Sequence, residues 1–231
     1  MGTVKTRRPM MMRLGLLAAL AVVAVLVVVV VTTPHKASTA GGGDGGTPAV
    51  LSQFDGIPQS EITIGSPKAP VTIVEFADLQ CPFCAEYEAA VLPTLIDRYV
   101  RTGKVRLQLR LLRFLGPDSD RLARVAVAAA AQNRMWQFVG LAYDRQGQEN
   151  SGYATNDFIN RLAHDAGLKN VDAGAAAERQ VQGNEQLAKT AGINSTPSFL
   201  IGRTGGTLRP FQPSELTPGA FTPAIDKALG R

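Results

Sequence analysis

Cysteine is scarce in this chain. Only Cys81 and Cys84 occur among 231 residues, which excludes a scaffold of several disulfides and a zinc site of four thiolates. Histidine is equally rare, with His35 in a stretch that reads as linker and His164 further on. No acid occurs before residue 32, whereas Lys5, Arg7, Arg8 and Arg13 all lie there. Four of the five formal positive charges therefore belong to the extreme N-terminus, and about +1 remains for the rest. That balance leaves no basic face for nucleic acid. No internal repeat is visible, and 45% hydrophobic with 19% charged residues is ordinary globular composition.

A long hydrophobic run is present. Leu14 to Val31 is unbroken apolar sequence of about 18 residues, spanning roughly 27 Å as a helix, close to the thickness of a bilayer core. It exceeds the h-region of a signal peptide, and basic residues flank only its N-terminal side. The positive-inside rule then puts residues 1–13 in the cytoplasm, makes 14–31 a transmembrane anchor or uncleaved signal, and places the rest outside the cell membrane. Cleavage, for which Ser38-Thr39-Ala40 offers a distant small-residue site, would instead yield a secreted protein. No cysteine follows the run closely enough for a lipoprotein anchor. Residues 32–60 include Gly41-Gly42-Gly43-Asp44-Gly45-Gly46 and read as a flexible linker.

The remainder, 61–231, is sized for one domain. Val71 to Ala77 is a β-branched strand, and the chain turns helical from Pro82. Tyr87, Val91, Leu95 and Tyr99, with Leu92, Ile96 and Val100 beside them, form a wide apolar stripe that Pro93 should kink. Val105 to Leu111 alternates as a half-buried strand. A helical block over about 117–190 follows, with Asp118 or Ser119 as N-cap and a long alanine-rich helix over Arg121–Tyr143. Then come a strand at Ser198–Ile201, a turn at Gly205-Gly206, a short strand at Thr207–Arg209 and a closing helix from Thr217. The order β-α-β, helices, β-β-α makes an α/β fold: a central mixed sheet with helices on both faces and an inserted helical subdomain.

Cys81-Pro82-Phe83-Cys84 sits where the strand gives way to the helix. A disulfide closing so short a loop stabilises little, so the pair reads as chemistry. With Pro82 at the first helical position, Cys81 meets the positive end of the helix dipole, which favours its thiolate. Cys84, one turn in, is the buried partner. Substrate thiolate attacks the disulfide at Cys81, and Cys84 or a second thiol resolves the mixed disulfide. No second ligand pair supports a metal, and no cofactor is needed beyond the redox-active disulfide itself.

The stretch Val71–Cys84, with Thr196-Pro197-Ser198-Phe199 downstream, resembles the DsbA-like branch of the thioredoxin-fold thiol–disulfide oxidoreductases, in its membrane-anchored or secreted bacterial form. The resemblance covers about 57–231 and implies a thioredoxin fold. It further implies that Pro197 is a cis-proline beside the disulfide, and that Thr196 offers backbone groups to substrate, with Pro82 and Phe83 also at the substrate face. Glu75, whose residue type alone suggests an edge or solvent-facing position, becomes a buried carboxylate that relays the proton of Cys84. Phe83 departs from the best-known oxidant, which carries histidine there, and so points to a weaker oxidant. Trp136 reads as core, His164 as a surface residue, and Arg110, Arg113 and Arg121 as a solvated face.

The expected function is disulfide formation in exported proteins. Partners would be reduced or unfolded exported chains and a membrane thiol oxidase that re-oxidises the pair. A reductase or isomerase of the same fold, and a non-catalytic tethered chaperone, are the rival readings.

Overall fold

The computed structural model describes Gly2 and residues 47–231. The expected cytoplasmic segment, apart from Gly2, the expected membrane span and the linker as far as residue 46 lie outside the described residues. Among the described residues no helix is long and apolar enough to cross a membrane.

A six-stranded sheet organises the domain. Two short strands, β1 (Gln59–Ser60) and β2 (Thr63–Ile64), precede β3 (Val71–Ala77), β4 (Val105–Leu111), β5 (Ser198–Arg203) and β6 (Arg209–Phe211), in spatial order β1-β2-β4-β3-β5-β6. β3 lies at the centre, parallel to β4 with Val71 opposite Val105 and antiparallel to β5 with Phe76 opposite Ser198. Every residue of β3 is buried, as a strand covered on both faces requires. Val71, Ile73 and Ala77 join the main core, whereas Val74 and Phe76 face the other way, into a smaller cluster with Leu112, Ala188 and Leu200.

The helix after β3 behaves as its stripe requires. α2 (Pro82–Ala90) ends just before α3 (Leu92–Leu95), which runs into a π-helical turn at Ile96–Val100. The break falls immediately ahead of Pro93, whose missing N–H interrupts the helix ladder. The seven stripe residues from Tyr87 to Val100 are all buried. α4 (Pro117–Ala130), α5 (Met135–Asp144), α6 (Asn156–Asp165) and α7 (Gly174–Thr190) form the inserted block, and α8 (Pro218–Leu229) closes the chain.

Four expectations need correction. The alanine-rich stretch forms two helices instead of one, because Asn133 takes a left-handed conformation (φ +56°) and turns the chain so that Trp136 and Phe138 are buried. The cap of α4 is Gly116, not Asp118 or Ser119; the Ser119 hydroxyl is engaged elsewhere, as described below. The final strand lies two residues later than its β-branched threonine suggested. The linker is shorter than its composition implied, since α1 (Thr47–Ser52) and the segment behind it belong to the domain. Phe54 is 1% exposed and packs 6.2 Å from the ring of Trp136. The Arg101 guanidinium holds this segment by donating to the carbonyls of Gln53 and Asp55, at 2.7 and 2.8 Å.

Phe54→Ala should therefore cost about 3–5 kcal/mol in urea unfolding, the range for truncating a buried aromatic residue. A residue in a flexible linker would cost nothing.

Candidate active site

Cys81 is the N-cap of α2, in extended conformation (φ −73°, ψ 119°), and Pro82 occupies the first turn. This is the arrangement the sequence implied: proline loses no hydrogen bond there, and the Cys81 sulfur stands at the N-terminal end of the helix. Cys81 is 5% exposed and Cys84 fully sealed, both as free thiols. The difference in access is narrower than expected, because the Thr196–Pro197 segment covers Cys81. The Thr196–Pro197 peptide is cis, and the Thr196 carbonyl accepts a hydrogen bond from Cys81 Sγ at 3.3 Å.

The two thiols differ sharply in acidity. The Cys81 thiol is lowered to about 6, chiefly by a hydrogen bond from the Cys84 thiol, with burial opposing. The Thr196 side chain and the backbone N–H groups of Cys84 and Phe83 add to the lowering. No cation contributes, so the lowering comes from the helix terminus and the partner thiol, as the phenylalanine between the cysteines implied. Cys84 is pushed well up by burial first, then by donating to Cys81 and by the nearby Glu75.

Glu75 sits on β3 on the same side as Val71, Ile73 and Ala77, opposite Leu109 and Phe199 in the neighbouring strands. It is 4% exposed, and its Oε1 has no hydrogen-bond partner. Burial, then Glu88 and Cys81, holds its proton on well above the usual carboxylate range. The edge position suggested by residue type is excluded, since β3 is central. Phe83 is 60% exposed and Pro82 is exposed beside it, leaving both on the outer surface next to the pair.

Sequence reasoning missed the residues that hold the pair in place. Asp78, fully buried, accepts from the Gln80 N–H (2.9 Å), the Ser119 hydroxyl (2.5 Å) and the N–H groups of Phe114 (2.8 Å) and Leu115 (3.0 Å). Gln80 donates to the Leu115 carbonyl and accepts from the Asn150 N–H. Tyr143 donates to the Asp78 carbonyl, Tyr153 to that of Leu79, and Gln146 to those of Leu79 and Cys81. The loop before the cysteines is thus stitched to α4, α5 and the chain after α5. The available signal was an acid and a glutamine placed directly between a buried strand and the pair. Glu88, another buried carboxyl, was also missed.

The arginines are corrected too. Arg113 is no solvated residue but pairs with Asp120, Glu178 and Glu185 at 2.7–3.2 Å. Arg110 is half-buried and donates to Asn184, whereas Arg121 is exposed as expected, donating to the Ala154 carbonyl and Asn156. His164 is exposed and Trp136 is core, as expected.

A thiol pair opening a helix from a central strand, a cis-proline loop over the first sulfur and an inserted helical block define the thioredoxin-fold redox proteins. The family model described as Thioredoxin matches residues 58–210, and the chain belongs to that family. A probable disulfide bond formation protein D of Bacillus cereus is 34% identical over 99 residues, covering 42% of this chain and 46% of that one. The match thus spans about half the length of that relative. The oxidised crystal structure of BdbD from Bacillus subtilis superposes with a TM-score of 0.62 at 19% identity, covering 76% of this chain and 98% of that one. Wolbachia pipientis alpha-DsbA1 gives 0.61 at 21% identity over 73% and 90%. Both likenesses are of fold.

Proposed function

We propose that this chain is an extracytoplasmic thiol–disulfide oxidoreductase that donates the Cys81–Cys84 disulfide to reduced exported proteins. The observation that carries the reading is the asymmetry of the pair: an acidic Cys81 beneath the Thr196 carbonyl, and a sealed Cys84 whose proton is held tightly. Substrate thiolate attacks Cys81 Sγ, and Cys84 leaves as a thiolate. Glu75, whose carboxyl burial holds well above the usual carboxylate range, gives its proton to the Cys84 sulfur. A second substrate thiolate then attacks the substrate sulfur of the mixed disulfide, and Cys81 departs as a thiolate stabilised by the helix terminus. The two substrate sulfurs lose two electrons, and the cysteine pair gains them.

Thr196, Pro82 and Phe83 form the face that meets the substrate chain in this reading, with the free edge of the cis-proline loop as its backbone partner. The basic and apolar N-terminal sequence supports a tether in the cell membrane, where a membrane thiol oxidase would restore the disulfide. Similarity to the probable disulfide bond formation protein D of Bacillus cereus supports the oxidising direction.

The reduction potential tests that direction. A Cys81 acidity between those of thioredoxin (about 7) and DsbA (about 3.5) sets an expected potential above about −270 mV and below about −120 mV. A value at or below about −270 mV, measured against glutathione, would assign a reductase instead.

A further inference from the structure

The redox mechanism makes no use of Glu88. This residue of α2 is 7% exposed, and its Oε1 is buried with no hydrogen-bond partner. A second buried acceptor, Oε1 of Gln53 just behind α1, also lacks a partner. Both residues line one cavity of about 350 Å³. Leaving two such oxygens without donors is costly, and apolar residues would fill the positions without that cost. Val50 on α1, Ala85 on α2 and Pro93 on α3 give the cavity apolar walls, and Gly140 on α5 bounds another side. A Cβ at position 140 would lie 2.9 Å from Val50 Cγ1, 3.2 Å from Phe54 Cε2 and 3.4 Å from Glu88 Oε1. Glycine therefore keeps the space in front of the carboxyl open. Exposed Ala89 and Asp144 also line the cavity, so it opens to solvent beside a second acid.

What the cavity lacks is a cation. No lysine, arginine or histidine is among the described residues that line it. Tyr143 lines it but donates its hydroxyl to the Asp78 carbonyl at 3.1 Å. Arg101, which reaches the Gln53 backbone, is engaged with the Gln53 and Asp55 carbonyls and with Asp97. The missing complement is therefore a positive donor group, carried on an apolar stem that suits the walls. At about 350 Å³ the space far exceeds the roughly 30 Å³ of one water and falls at the small end of small-molecule pockets.

We propose that this cavity binds a small primary alkylammonium ion, with the ammonium on Glu88 and Gln53 and the alkyl chain against Val50, Ala85 and Pro93. An ammonium is all donor, so it satisfies both oxygens at once, and its bond to a carboxylate is charge-assisted. Neither cysteine lines the cavity, so the site does not depend on the redox reading. Binding carries a proton signature. Burial raises Glu88 to about 8, so below that pH a proton leaves as the ammonium enters. The amine itself stays charged there, since primary amines of the lysine type ionise near about 10.4. The titratable groups around Glu88 are Cys84 and Tyr87 on its own helix, Glu75 on β3, and Tyr143 and Asp144 on α5; the cavity residues of α1 and α3 carry no charge.

Trp136, the only tryptophan, stands one turn before Gly140 on α5 with its ring 6.2 Å from that of Phe54, so its fluorescence reports on this region. The test titrates the full-length protein with n-butylammonium chloride at constant chloride from pH 6 to 9, followed by Trp136 fluorescence and by calorimetry. Binding should saturate, and n-butanol, with the same stem and no charge, should bind about 10- to 100-fold more weakly, the span for a hydrogen bond to a charged group. Wild-type affinity should rise about tenfold per pH unit up to about 8 and level off above it, as release of one proton requires. Glu88→Gln should lose affinity over the same span at pH 9 and lose the pH dependence. Gly140→Ala, which fills the space in front of the carboxyl, should also weaken binding. No saturable response by either method would overturn the proposal, as would n-butanol binding as tightly as the amine, or either variant binding as wild type does. If Gly140→Ala fails to fold, Glu88→Gln and n-butanol decide.

Discussion

Cys81→Ser abolishes disulfide exchange, a loss on the order of 10³-fold or more, as for removal of other covalent nucleophiles. The serine hydroxyl has no accessible anion and cannot form the mixed disulfide. Cys84→Ser behaves differently. Its Cys81 thiol still attacks an oxidised partner, but nothing remains to resolve the product, so mixed disulfides through Cys81 accumulate. Non-reducing electrophoresis with scrambled, disulfide-bonded ribonuclease as the oxidised partner distinguishes the two. Mixed disulfides through Cys84 in Cys81→Ser would reverse the assignment. With Cys84 sealed and Cys81 5% exposed, the expected mixed disulfide is through Cys81.

Glu75→Gln slows release of Cys84 by about 10²–10⁴-fold, the span of positioned acid catalysis, because glutamine has no proton to give. The same substitution changes stability, and its sign depends on pH. Burial, with Glu88 and Cys81, raises the Glu75 carboxyl well above its ordinary range. Native protein thus keeps a proton that the unfolded chain releases above about pH 4.3. Between that point and the raised native value the native state binds more protons, so stability falls as pH rises. Each such group contributes a slope of about 1.4 kcal/mol per pH unit, and Glu88 adds its own between about 4.3 and 8. Glu75→Gln removes one of the two slopes. Its urea midpoint should match wild type near pH 4 and exceed it at pH 8; parallel curves would mean that Glu75 is ionised in the native state.

What was legible follows from what kind of signal each residue carries. The β3–α2 junction could be read because three cues agree there: a β-branched run, Pro82 and a 3.6-residue stripe. The strand from Val105 to Leu111 alternates strictly, since one side of it is only half covered. By contrast, α1 is too short and too plain to announce itself. Its hold on the domain comes from Phe54 against Trp136 and from Arg101, contacts across about 50 to 80 positions of sequence. Asp78 and Gln80 are ordinary polar residues until the inserted block brings Ser119, Leu115 and Asn150 to them. Glu75 was placed by resemblance, because residue type alone argues against burying an acid. Glu88 had neither pattern nor resemblance behind it; its burial depends on α1 and α5 meeting over α2.

The account turns on one electrostatic difference between two sulfurs a helical turn apart. Thiolate absorbance of the reduced protein, titrated from pH 4 to 10 with Cys84→Ser alongside to identify the site, measures it directly. One thiol should ionise near pH 6, and that transition should move upward in Cys84→Ser, which substitutes another group for the main hydrogen-bond donor to Cys81. The second thiol should stay protonated beyond pH 9. Two thiols ionising together near 9 would contradict the account, since neither sulfur would then be set apart as the attacking one.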